Sequence, residues 1–63
     1  MSRLTQAEAL FNQPLTLEAI QTLDKLISQA HGEEADQLGD LWEAMMVAAS
    51  PELFAQAQQA GYF

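Results

Sequence analysis

The chain has 63 residues, nine acidic and two basic side chains, a formal charge of -7 and no cysteine. That is room for a single domain, 1–63, with a small core and no disulfide to brace it. With only Arg3 and Lys25 as cations, there is no basic surface to hold phosphates, so neither direct nucleic-acid binding nor attachment to an anionic membrane is expected.

The opening MSRLTQAEALF carries one basic residue and no sustained apolar run, unlike a secretory leader. The longest apolar stretch, Ala44 to Ala49, is far short of a membrane span. Together with the missing cysteines, these features lead to the expectation of a soluble, cytoplasmic protein.

Four helices are predicted in chain order, over about 6–12, 17–30, 33–49 and 51–60. In the first, Thr5 and Glu8 have the spacing of a capping box, Ala7, Leu10 and Phe11 share a face, and Pro14 ends the segment. The second is capped by Thr16. Leu17, Ile20, Leu23, Leu26, Ile27 and Ala30 recur at threes and fours, the mark of one apolar stripe. Gly32 is its expected stop.

The third helix begins with Glu33, Glu34 and Asp36, favourable at the positive end of the dipole. Leu38, Leu41, Trp42, Met45, Ala48 and Ala49 form its main stripe. Gly39 falls inside the helix, either as a point of close backbone approach or as a tolerated defect. Ser50-Pro51 supplies an N-cap and a first helical residue for the fourth segment, where Leu53, Phe54, Ala57 and Ala60 give a weak apolar face before Gly61. Sparse β-branched residues and no period-two alternation argue against strands.

The expected fold is all-α. Helices two and three, joined by a very short link near His31, form an antiparallel helical hairpin with short flanking helices. Two such hairpins could share a core as a homodimeric four-helix-type bundle.

Catalytic and metal chemistry find little footing. His31 is the one histidine, at a turn, and reads as a solvated residue in a helix's last turn. The carboxylates Glu33, Glu34, Asp36 and Asp40 lack a calcium-loop pattern and any Glu-x-x-His partner, so no metal, no cofactor and no enzymatic activity are expected. No glycine-rich phosphate loop occurs.

The informative stretch is Trp42 to Val47. On a helix Val47 lies about 160° from Met45, so one partner helix cannot cover both. Trp42, Met45, Met46, Val47, Phe54 and Phe11 are therefore the candidate protein-interaction residues, with Glu33, Glu34, Asp36, Asp40 and Glu43 as an acidic surface that steers a more basic protein. The expected function is a non-enzymatic interaction module, a small acidic regulator or adaptor. The alternatives are a nucleic-acid-mimicking inhibitor of a DNA-binding protein, and a secretion-type chaperone or structural subunit of a larger assembly.

Overall fold

A computed structural model describes residues 2–63; Met1 lies outside the described residues. The described residues form helices that pack on one another, with no strand among them: α1 (Arg3–Ala9), a 3-10 turn (Leu10–Asn12), α2 (Leu17–Gln29), α3 (Gly32–Ala48) and α4 (Pro51–Gln59).

The caps explain most of these limits. Thr16 accepts the Ala19 N–H at 3.3 Å, and Ser50 accepts the Leu53 N–H at 3.1 Å with Pro51 opening α4, as the sequence indicates. The first helix starts one turn earlier than expected. Ser2, not Thr5, is its N-cap and accepts the Thr5 N–H at 3.1 Å. The Thr5 hydroxyl instead meets the Ser2 hydroxyl at 2.9 Å. The residues beyond Ala9 tighten into the 3-10 turn ahead of Pro14, whose ring removes a donor and restricts Gln13.

Gly32 also plays a different part. The second helix stops at Gln29, and Ala30 and His31 are both extended. Gly32, at φ +59°, is the first residue of α3. His31 therefore stands at the N-cap of α3, without a side-chain capping bond, and not in the last turn of α2.

The core is shared by all four helices. Ile20, Leu23, Leu38 and Met45 are the largest fully buried side chains, joined by Ala7, Ala19, Leu26, Ala30, Leu53 and Ala57. Helix α3 packs against α2, α1 packs across both, and α4 lies against α2. Of the stripes expected on α2 and α3, Ile20, Leu23, Leu26, Ala30, Leu38 and Met45 are buried, Leu17, Ile27, Leu41, Trp42 and Ala49 are half-buried, and Ala48 is exposed; Ala60, beyond α4, is exposed too. Alanine at 7, 19 and 57 fits these contacts, since a small side chain lets helix axes approach within 8–10 Å.

The accessible surface is 4172 Å², close to the ~4,000 Å² expected for a compact monomer of this mass. An ion pair, Arg3 to Glu34 at 3.3 Å, links α1 to the first turn of α3. Both side chains are part-exposed, so it contributes on the order of 0.5 kcal/mol.

A Cβ placed on Gly39 meets nothing within 4 Å, so this glycine serves no close approach. Gly39→Ala is expected to stabilise the protein by about 0.5–1 kcal/mol through helix propensity and a less flexible unfolded chain. Gly32→Ala has equal space but a left-handed backbone, and is expected to cost about 1 kcal/mol. Urea midpoints shifting in opposite directions check both; a loss of stability in Gly39→Ala would contradict the first.

Candidate protein-interaction surface

Helix α3 carries most of the residues singled out from the sequence, and packing divides them by direction. Met45 is fully buried in the core, so it presents nothing to a partner; its thioether fills space inside the chain. Val47, two residues on, is 87% exposed. The 200° turn between them sends one side chain inward and the other into solvent. Met46 and Phe54 are half-buried but are not among the side chains packed on the core. Phe11 is half-buried in the 3-10 turn and does pack on the core.

Trp42 is half-buried and is covered from an unexpected direction. Helix α4 ends in a Schellman motif: Tyr62 N–H donates to the Ala57 carbonyl at 2.8 Å and Gly61 N–H to the Gln58 carbonyl at 3.1 Å. Gly61, at φ +86°, supplies the left-handed residue this motif needs. The chain is thereby turned back, and the Phe63 ring lies edge-on to Trp42 with centroids 5.4 Å apart and tilted to Phe54 at 5.3 Å. Phe63 thus bridges α3 and α4. Gly61 before two aromatics was the sequence signal for this turn, and its conformational role was legible while its target was not.

Phe63→Ala is expected to shift the emission of Trp42, the one tryptophan, to longer wavelength and to lower stability by about 1 kcal/mol. An unchanged emission spectrum would contradict the contact.

The acidic residues fall into two groups. Glu34 is half-buried and paired to Arg3. Glu33, Asp36, Asp40 and Glu43 are exposed, and no salt bridge reaches them among the described residues. Gln37, Asp40, Ala44, Val47 and Ala48, all exposed, follow one another on the outer face of α3 at helical spacing.

An open groove of about 410 Å³, not anticipated from the sequence, runs between the 3-10 turn and α2, lined by Leu10, Gln13, Pro14, Thr16, Glu18, Ala19 and Thr22. Its hydroxyls serve the backbone: Thr16 caps α2, and Thr22 donates to the Glu18 carbonyl at 2.9 Å. Glu18 is its one ionisable side chain. Among the described residues no group of three or more His, Cys, Asp or Glu could hold a metal ion, and no helix is long and apolar enough to cross a membrane. Compared with models of known protein families, with curated proteins and with solved structures, the chain has no match.

Proposed function

We propose that this chain is a non-enzymatic protein–protein interaction module, a small acidic regulator or adaptor that works through helix packing on α3. The observation that carries the reading is Val47, a branched aliphatic side chain left 87% exposed on a chain that closes its own core. The total surface is already near that of a compact monomer, so this side chain is not needed to complete the fold. Val47 anchors the surface, with Glu33, Asp36, Asp40 and Glu43 as the exposed acidic residues that steer a more basic protein; Trp42 and Phe54 meet Phe63 instead, and Glu34 is paired to Arg3.

The homodimeric bundle would place the inner faces of α2 and α3 against a second copy. Those faces carry Ile20, Leu23, Leu38 and Met45, which share one buried cluster with Ala7 of α1 and with Leu53 and Ala57 of α4. A partner on the outer face of α3 needs no such rearrangement, and this favours a different protein as the occupant.

Co-purification from the native cell, with Val47→Glu beside the unmodified chain and the solution mass measured across a concentration series, tests the reading. A monomeric mass with a co-purifying protein lost in Val47→Glu is the expected result. Identical recovery and identical mass for both chains would remove it. A dimer that Val47→Glu dissociates would keep the surface and make a second copy its occupant.

A further inference from the structure

We propose that the outer face of α3 docks a basic amphipathic helix of another protein; the proposal rests on the reading of α3 as the interaction surface and names its partner's chemistry. The face has two halves. Asp36, Asp40 and Glu43 stand exposed along the first, spaced four and three residues apart, and Ala44, Val47 and Ala48 are exposed along the second. From Asp36 to Val47 the face runs about 16 Å, or three turns. That is the footprint of a single helix laid alongside.

Charge identifies the occupant. Like charges at three- and four-residue spacing destabilise an isolated helix, and among the described residues no salt bridge relieves these. Arg3 is turned to Glu34, and Lys25 is exposed on α2, which packs against α3 and so cannot share its outer face. A helix bearing Lys or Arg at matching spacing replaces mutual repulsion by attraction. A second copy cannot do this: it brings a further -7 and the same two basic residues. Nucleic acid and anionic membrane surfaces are repelled for the same reason.

The second half sets a further requirement. A polycation alone would have no use for Val47, 87% exposed, set between alanines whose small side chains admit another helix to 8–10 Å. The fitting partner therefore has two or three cations in one half and Leu, Ile or Val in the other. The order of the two halves along α3 fixes its direction.

The probe is a synthetic 16-residue helical peptide with Lys at i, i+4 and i+7 in one half and Leu at i and i+3 in the other. It is titrated into the isotope-labelled full chain and followed by amide chemical shifts. Two control peptides carry Lys→Glu and Leu→Ser. The expected result is shifts confined to α3 and the start of α4, with either control weakening binding at least about fivefold. Asp40→Asn with Glu43→Gln should weaken binding and flatten its salt dependence. Val47→Ser should weaken it without changing the salt slope.

Shifts as large at Glu8, Glu18 and Asp24 as on α3, or binding indifferent to Val47→Ser, would overturn the proposal in favour of unspecific attraction to an acidic protein. Absence of peptide binding would overturn it as well. If a native partner is still lost in Val47→Glu, the interaction surface survives and only the basic-helix identity falls. If it is retained, both fall.

Discussion

Leu38→Ala is expected to remove most of the stability of this protein. Leu38 is fully buried in the cluster that joins the four helices, on the helix that packs against both α1 and α2. Truncating such a side chain costs about 2–5 kcal/mol, the upper values where the site cannot collapse. A domain of this size has on the order of 3–9 kcal/mol in total. The urea midpoint, followed by helical circular dichroism, should fall by about half or more. Leu41→Ala, at a half-buried position three residues on, should cost distinctly less because part of that side chain is already in water. A loss below about 1 kcal/mol for Leu38→Ala would mean that α3 does not pack as described.

Glutamate at two positions two residues apart on α3 should give opposite outcomes. Met45→Glu puts an unpaired carboxylate where the native thioether is fully buried, and among the described residues no polar or charged side chain is buried. The expected cost is about 4 kcal/mol or more, enough to leave the chain largely unfolded at neutral pH. Val47→Glu replaces a side chain already 87% in solvent and should leave the melting curve within about 0.5 kcal/mol of the native one. Circular dichroism and a urea melt of the two variants decide the matter. Comparable destabilisation by both would contradict the rotation of α3 that sends Met45 inward and Val47 outward.

This contrast also separates folding from recognition. Loss of a partner in a variant that does not fold says nothing of a surface. Val47→Glu, Val47→Ser and the Asp40→Asn, Glu43→Gln pair all alter side chains that are exposed and take no part in the core. Their effects on binding can be read directly. Trp42 and Phe54 are different, because Phe63 contacts both. Replacing either perturbs an internal contact together with any external one, so these positions are poorer probes of a partner.

The sequence by itself determined the helices and most of their limits, because these are local. Caps at Thr16 and Ser50, proline at 51 and the three- and four-residue recurrence of Ile20, Leu23 and Leu26 each act within a turn or two of backbone. The start of α1 needed the structure: Thr5 and Glu8 have the spacing of a capping box, but Ser2, one turn earlier, caps the helix. Gly32 was readable as a left-handed residue, but not as the first residue of α3 rather than the end of α2, since either place satisfies its backbone.

Only the tertiary structure decided which apolar residues are covered. Trp42, Met45, Met46 and Val47 all read as candidate interaction residues, and periodicity fixes their angles relative to one another without fixing the rotation of α3 in the molecule. That rotation is set by α1 and α2 packing on it and by the turn at Gly61 that brings Phe63 over Trp42. These are contacts between residues far apart in the chain. Hydrophobic burial is non-directional and rewards any arrangement that removes apolar area from water, so no single helix specifies in isolation which of its faces becomes the inside.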